Sequence, residues 1–388
     1  MDAALPSPSF QHNSPEKPEV VRARELVLEY GWNSTSFQIV NPGIKRWFTA
    51  ERDAVVGYVP AARIRVVVGG PVCETEHLAS VIDAFENEAS SDGEGVCYFA
   101  AESRLESITV GRDDHSKFLI GAQPSWDPRE WSTLVKTQRS VRSQVNRARN
   151  KGVSVSEWSS DRAKNDPQLA AVLRNWLSTK NLPPLHFMVE SDTLGRLDHR
   201  RIFVAECGGR VVGFLVLSPI TQREGWLFEQ FPHVAGAPNG TVELMIDTAM
   251  RAIANDGYRY ATIGLSPLSK RANIDPIDQP GWLRLLLGWF RKHGQRFYNF
   301  DGLDSFKAKL RPDKWEPIYA VVNSSSVGPR HLYAIASAFS GNEPAKLVSG
   351  ALSRAAATEL RWLKEKLTYK EPRSPRLFLS VHHPITGR

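Results

Sequence analysis

The segment that most restricts this chain is its run from residue 226 to residue 265. It begins Trp226-Leu-Phe-Glu-Gln-Phe-Pro232 and passes through the turn-rich His233-Val-Ala-Gly-Ala-Pro-Asn-Gly240. It then continues as Thr241-Val-Glu-Leu-Met245 and on to Tyr258-Arg-Tyr-Ala-Thr-Ile-Gly-Leu265. This reads as strand, turn, amphipathic helix and strand. Just upstream, Ile202-Phe-Val-Ala-Glu-Cys207 and Val211-Val-Gly-Phe-Leu-Val-Leu217 flank Gly208-Gly209 and read as a hairpin. The first backbone N–H groups of a helix have no partner inside it, so they can hold an anion or polarise a carbonyl.

At 388 residues the chain is long enough for two or three domains, and 41% apolar residues can bury substantial cores. A net charge of +7 and a pI near 9.3 point to an anionic partner such as RNA, phospholipid or a phosphorylated donor. They fit a mildly basic enzyme equally well. Cys73, Cys97 and Cys207 form no metal pattern and read as buried free thiols in a reducing cytosol. Residues Met1 to Pro18 are rich in Pro and Ser without an apolar core, so they read as a flexible tail and not a signal peptide. No run approaches the roughly 18 apolar residues of a membrane span. The expectation is a cytoplasmic chain, at most peripheral to the inner face of a membrane.

A first helix is predicted over Val20–Tyr30, and strands over Phe37–Val40, Ala54–Val59 and Ile64–Val68. After a turn at Gly69-Gly-Pro71 come a helix over His77–Ser90 and a strand over Val96–Ala100. The same order recurs between about 165 and 320, which points to two copies of one α/β unit. Between them, Asp127 to Asn150 reads as one helix capped by Asp127, with Pro128 in its first turn and Gly152 at its end. Arg139, Arg142 and Asn146 share one face of it, with Arg147 and Arg149 nearby. Such a helix is either a solvated basic face or a track for a phosphate backbone. Helices are also predicted over His331–Phe339 and Lys346–Leu367, the second basic enough to lie on an anionic membrane. The resulting division is a tail (1–19), a first unit (20–126), a basic connecting helix (127–152), a second unit (153–327) and a helical extension with a tail (328–388).

The strand order resembles the centre of the GNAT acyltransferase fold, which places an activated acyl donor at a helix N-terminus. CoA-dependent members carry a Gln/Arg-x-x-Gly-x-Gly/Ala loop there. Here the loop is Ala235-Gly-Ala-Pro-Asn-Gly-Thr241, and Pro238 has no N–H to give, so acetyl-CoA is disfavoured. Asn239 and Gly240 can still turn the chain, and Thr241 can cap the helix. A second cluster, Arg296-Phe-Tyr-Asn-Phe-Asp-Gly302 continuing to Tyr319, sets Asn299, Lys307, Lys309 and Arg311 among aromatic residues. His186 lies in the proline-stiffened Asn181-Leu-Pro-Pro-Leu-His-Phe-Met188, where it is either structural or a general base.

Three motifs, Ala237-Pro-Asn-Gly240, Gly264-Leu-Ser-Pro-Leu-Ser269 and Phe297 to Lys309 with Trp315-Glu-Pro317, together resemble the C-terminal domain of phosphatidylglycerol lysyltransferases, the DUF2156 group. The likeness runs from about residue 25 to 325. It implies an α/β protein of mixed sheets, two tandem GNAT-like units plus a C-terminal helical extension. It also implies transfer of an aminoacyl group from aminoacyl-tRNA to a lipid hydroxyl, with no cofactor. Members that transfer lysine or alanine carry an Asp, and an Arg three residues on, in the strand before the Asn-Gly turn. Leu227 and Gln230 stand there in this chain, with Glu229 the one nearby charge. That leaves open the amino acid and the acceptor, whether phosphatidylglycerol, another lipid or a sterol.

Ester exchange needs donors to the oxyanion, a proton acceptor and clamps for phosphate, and no metal-ligand spacing is present. The amides near Asn239 and Gly240, His186 or Glu229, and Lys307 with Lys309 are the candidates for these roles. Gln230, Thr241, Asn299 and Arg311 are candidate substrate contacts, and Glu229 is also a candidate for the substrate's ammonium group. Arg139, Arg142 and Arg147 are the expected tRNA contacts. The competing readings are a GNAT-like N-acyltransferase on a small amine or peptide, and a non-catalytic module that binds RNA or lipid.

Overall fold

The computed structural model describes residues 16–109, 111–179, 187–188, 193–272, 274, 281–283, 285 and 300–341. The first half opens with helix α1 (Pro18–Tyr30) and strands β1 (Lys45–Phe48), β2 (Val55–Ala61) and β3 (Ile64–Val68). Helix α2 (Leu78–Ser91) then leads to β4 (Gly95–Ala101). Strands β1, β2 and β3 are antiparallel neighbours, and β3 and β4 are parallel. The second half repeats this order with β7 (Arg201–Cys207), β8 (Arg210–Ile220), β9 (Gly225–Gln230), helix α8 (Thr241–Asn255) and β10 (Tyr260–Thr262). Here β7, β8 and β9 are antiparallel, while β9 and β10 are parallel.

The halves are joined by exchanging strands. Strand β5 (Ser116–Trp126) follows the first half in sequence but pairs with β10. Strand β12 (Lys314–Val322) follows the second half but pairs with β4. The two exchanged strands also pair with each other, from Lys314↔Ser125 to Val322↔Ser116. One sheet results, in the order β1-β2-β3-β4-β12-β5-β10-β9-β8-β7-β6, with β6 (Val153–Trp158) at the far edge and β11 (Ser266–Pro267) paired to β5.

Helical periodicity explains what covers this sheet. Leu78, Val81, Ile82, Phe85 and Ala89 of α2 recur at three- and four-residue spacing and are all buried. Helix α8 buries Leu244, Met245, Met250 and Ile253, and also Ile246 and Asp247, so it is covered on more than one face. Its second cover is a helix pair, α4 (Trp131–Thr137) and α5 (Arg139–Asn150). Further helices among the described residues are α3 (Ser103–Thr109), α6 (Ser160–Lys164), α7 (Pro167–Ser178), α9 (Phe300–Lys309) and α10 (Pro329–Phe339).

Three expectations are corrected. Phe37–Val40 belongs to a 3-10 turn, Ser36–Val40, with every residue buried. A short apolar run without alternation does not distinguish a strand from a buried helical turn. The predicted single helix from Asp127 to Asn150 is a 3-10 turn (Pro128–Glu130) followed by α4 and α5, with Gln138 between them in extended backbone (φ −88, ψ 98). Trp131 and Val135 bury from α4, and Val141, Val145 and Ala148 from α5. The six-residue step from Val135 to Val141 turns an unbroken helix through about 240°, so one straight stripe cannot serve both sets. Asp127 does cap this region, its side chain accepting from Arg129 N at 3.0 Å, and Gly152 ends α5 at φ +79. The three cysteines are free, with Cys207 half-buried and not fully buried as expected. The predicted helix Lys346–Leu367 lies outside the described residues.

Candidate active site

Strands β9 and β10 are paired only from Gly225/Tyr260 to Leu227/Thr262, after which they part. Strand β9 continues along β8, while the chain beyond β10 turns at Gly264 (φ +70) towards β11 and β5. A wedge opens between Phe228-Glu229-Gln230 on one lip and Ile263-Gly264-Leu265 on the other. Carboxyl ends of parallel strands are where open α/β sheets bind ligands.

Glu229 is set apart by the sheet itself. Val216 pairs with Gln230 and Leu217 with Phe228, so Glu229 is the extra residue of a β-bulge. Bulges bend a strand and re-aim a side chain, often beside an active site. The Glu229 side chain is only 9% exposed, and its Oε1 lies 2.9 Å from Nε of Arg200, itself 3% exposed. Neither atom is in a well-aligned hydrogen bond, so the contact is one of charge with charge. Arg200 Nη1 donates to Arg196 O at 2.6 Å, and the guanidinium lies 5.0 Å from the Phe37 ring. The first half thus reaches the wedge through its buried 3-10 turn. Among the described residues the buried hydroxyls of Ser218, opposite Leu227, and Ser266 on β11 have no hydrogen-bond partner.

Lys307 braces the other lip. It is 3% exposed, and its Nζ donates to Gly264 O at 2.7 Å and to Leu265 O at 2.9 Å. Burial pulls this amine down to about 7, with Asp304 opposing the shift. It therefore shapes backbone and is no exposed phosphate clamp. Lys309, two residues on, takes another helix face and is exposed.

Helix α8 begins after the loop that follows β9, whose His233 lies opposite Gly213 of β8. Its N-cap is Gly240 (φ +93), with no side-chain cap; the Thr241 hydroxyl donates to Pro238 O at 2.6 Å, so Thr241 does not cap the helix. A Cβ on Gly240 would sit 2.1 Å from Gln144 O and 3.4 Å from Ala148 Cβ. Glycine is thus required here for φ and for the close crossing of α5. The crossing is fastened by Asp247, fully buried on α8, which accepts from Trp131 Nε1 (3.0 Å), Arg149 Nη2 (2.9 Å) and Arg251 Nε (2.9 Å).

The structure brings Glu229, Gln230 and Lys307 to the wedge, with Gly240 and Thr241 at the start of α8. Asn239 is exposed on the turn. Arg139 and Arg147 are exposed on α5, while Arg142 is half-buried and donates to Lys136 O. Arg311 (φ +53) lines a separate cleft of about 260 Å³ with Trp126, Asp127, Trp131 and Asp313, at the Trp126 end of β5, whereas β11 pairs with Gly121 and Ala122. His186 and Asn299 lie outside the described residues.

Sequence reading missed Arg200, Asp247 and a polar junction where the halves meet. In the junction Arg223 Nη1 donates to Glu102 Oε2 and Glu316 Oε2, both at 3.0 Å, and Tyr260 OH donates to Glu316 Oε2 at 2.9 Å. Gln123 Nε2 donates to Tyr260 OH at 3.0 Å and Ser34 Oγ to Gln123 Oε1 at 2.8 Å. Burial raises the Glu102 carboxyl, with Arg223 pulling the other way, and burial also raises the Tyr260 phenol. Burial opposes the Arg223 charge, but Glu316, Tyr260 and Glu102 outweigh it and hold the guanidinium above its ordinary value. These residues are scattered through the sequence, so no spacing announces them.

A strand–strand–strand–helix–strand order used twice, with a splayed parallel pair, defines a tandem GNAT-like α/β protein. The profile of one family, described as phosphatidylglycerol lysyltransferase, C-terminal, matches residues 24–322, and the chain belongs to that family. The phosphatidylglycerol lysyltransferase of Staphylococcus xylosus is 22% identical over 319 residues, covering 80% of this chain and 36% of that protein. That of Bacillus subtilis (strain 168) is 23% identical over 319 residues, covering 78% and 35%. The chain therefore spans about a third of the length of these curated relatives. Among solved structures, the C-terminal domain (DUF2156) of a putative lysylphosphatidylglycerol synthetase from Agrobacterium fabrum superposes with a TM-score of 0.70 at 21% identity, covering 84% of this chain and 98% of that one. L-PGS from Bacillus licheniformis gives 0.67 at 19%, covering 84% and 97%. Both show the same fold.

Proposed function

We propose that this chain is an aminoacyltransferase that moves an aminoacyl group from aminoacyl-tRNA to a lipid hydroxyl, of a phosphatidylglycerol-like or a neutral acceptor. In the reaction the acceptor oxygen attacks the aminoacyl carbonyl, a new ester bond forms, and the tRNA 3′-terminal oxygen leaves with the proton that the acceptor loses. One ester replaces another, so the chemistry is a matter of positioning, proton transfer and oxyanion stabilisation.

The observation that carries this reading is the bulged, buried Glu229 in the wedge, set against Arg200. A carboxylate held at the splay of two parallel strands suits the α-ammonium of an aminoacyl group better than it suits the pyrophosphate of CoA. Lys307 fixes the Gly264–Leu265 lip as a positioning residue. In this reading the exposed Arg139 and Arg147 of α5 meet the phosphates of the acceptor stem. No described helix is long and apolar enough to cross a membrane. In this reading the lipid is met at the inner face of the membrane.

The test supplies total tRNA charged with radiolabelled amino acids to the purified protein and to vesicles of host lipids. RNase-sensitive label in the lipid fraction is expected, and hydrolysis of that lipid identifies both amino acid and acceptor. Label that never enters lipid, together with saturable acetyl-CoA binding, would replace this reading with N-acyl transfer.

A further inference from the structure

The carboxyl ends of the other parallel pair, β3 and β4, carry a cluster that the transfer reading does not use. The pair holds to Val68 and Phe99, and Gly69 N still donates to Phe99 O at 2.7 Å. Beyond it meet Gly69-Gly70, the start of α3 and the Trp32–Thr35 loop that follows α1. A Cβ on Gly69 (φ +67) would lie 2.5 Å from Asn33 Nδ2 and 2.7 Å from Thr35 Oγ1; one on Gly70 would lie 2.9 Å from Leu105 Cδ1. The glycine pair is what lets the three segments close on one another.

Arg104 stands in this cluster without an anion. Arg65 is met by Glu88, Asp92 and Glu94, and Arg223 by Glu102 and Glu316, but no carboxylate among the described residues pairs with Arg104. Its Nη2 donates to Cys73 O at 3.0 Å, and its guanidinium lies 5.8 Å from the Trp32 ring. Among the described residues its buried Nε meets no acceptor, and the buried Trp32 Nε1 and Thr35 hydroxyl meet no hydrogen-bond partner. Burial lowers this guanidinium from its ordinary value. Guanidinium and indole N–H groups can only donate. A half-buried positive charge beside buried, unanswered donors is complementary to anionic oxygen, and the planar fork of arginine matches phosphate.

The geometry points to a site for a single phosphate group on Arg104, Trp32 and Thr35, carried by a phospholipid headgroup or free in solution. A nucleic-acid backbone needs a row of exposed charges, which α5 supplies and this cluster does not. With Leu105 and the Trp32 indole at its side, the site instead suits one phosphate next to apolar matter. The lipid source rests on the transfer reading above; the phosphate site itself does not.

The test follows the Trp32 indole N–H by NMR in the whole chain. The chain has 11 tryptophans, so the signal is identified by its loss in Trp32→Phe. Inorganic phosphate, dihexanoyl phosphatidylglycerol and uncharged dihexanoylglycerol are titrated in turn. Phosphate and the phospholipid are expected to move the signal saturably and the uncharged lipid to leave it in place, with Arg104→Gln weakening binding at least ten-fold. Tighter binding of the phospholipid than of inorganic phosphate identifies the headgroup as the source, and equal binding identifies free phosphate. If Arg104→Gln does not fold, Arg104→Lys keeps the charge but loses the fork and should weaken phosphate at least three-fold. No saturable shift, affinity indifferent to both variants, or a response to a short oligoribonucleotide alone overturns the site. None of these readouts depends on acyl transfer, so the two readings fail separately.

Discussion

Removing Arg200 tests how the wedge holds its carboxylate. Glu229 is 9% exposed and Arg200 3% exposed, at 2.9 Å, so neither charge has much water to fall back on. Deleting one partner of a buried pair costs about 3–5 kcal/mol, mostly from the charge left behind. Arg200→Met should fall in that range. Glu229→Gln should cost less, about 2 kcal/mol, because Arg200 keeps its bond to Arg196 O and its place near Phe37. The double variant buries neither charge and should recover about 2 kcal/mol of the summed loss. Urea unfolding of all four proteins at pH 7 gives the cycle, and repetition at 0.5 M salt should change little for a buried pair. If the two single losses add to within about 0.5 kcal/mol, the charges are not coupled and the charge contact of Arg200 with Glu229 is refuted.

Other variants probe the remaining parts of the site. Gly240→Ala combines a left-handed backbone with overlap on Gln144 O and should lose about 2–4 kcal/mol of stability, whereas Gly236→Ala, which would meet nothing within 4 Å, should stay within about 0.5 kcal/mol. Thermal melts decide between them, and a neutral Gly240→Ala would contradict the α5–α8 crossing. The Lys307 amine is lowered to about 7 in the fold, so between that value and its ordinary 10.5 the unfolded chain binds the extra proton. Stability should therefore rise with pH across that window by roughly 1 kcal/mol per unit, and Lys307→Met should abolish this contribution. Denaturant midpoints at pH 6.5 and 9 measure it, and an unchanged pH slope in the variant would rule it out. Arg139→Glu with Arg147→Glu should raise KM for the charged tRNA at least ten-fold at low salt and flatten its salt dependence while leaving the fold intact. An unaltered KM would place tRNA elsewhere.

Much of the fold was legible because it rests on local pattern. Gly208-Gly209 between two apolar runs announced the β7–β8 hairpin, and the apolar spacing of α2 and α8 announced both helices. The exchange of β5 and β12 was not legible, since strand pairing across nearly 200 residues leaves no local signature. The site was legible in part. Glu229 stood out as the one charge near the Asn-Gly turn, but its bulge arises from the register of β8 against β9, which one strand does not reveal. Arg200 reads as one of two adjacent arginines before a strand, and only folding brings it to Glu229. Lys307 shows the opposite failure: a lysine among lysines looks like surface, yet it is buried on two carbonyls.

The central claim is that the β9–β10 wedge holds the aminoacyl group through Glu229. The most direct test is the rate of label transfer to lipid by wild type and by Glu229→Gln, at limiting and at saturating aminoacyl-tRNA, with intact folding verified by circular dichroism. The account predicts that the variant loses about 10- to 100-fold in kcat/KM for the charged tRNA, the size of one charge-assisted contact. Transfer by Glu229→Gln at the wild-type rate under both conditions would contradict it.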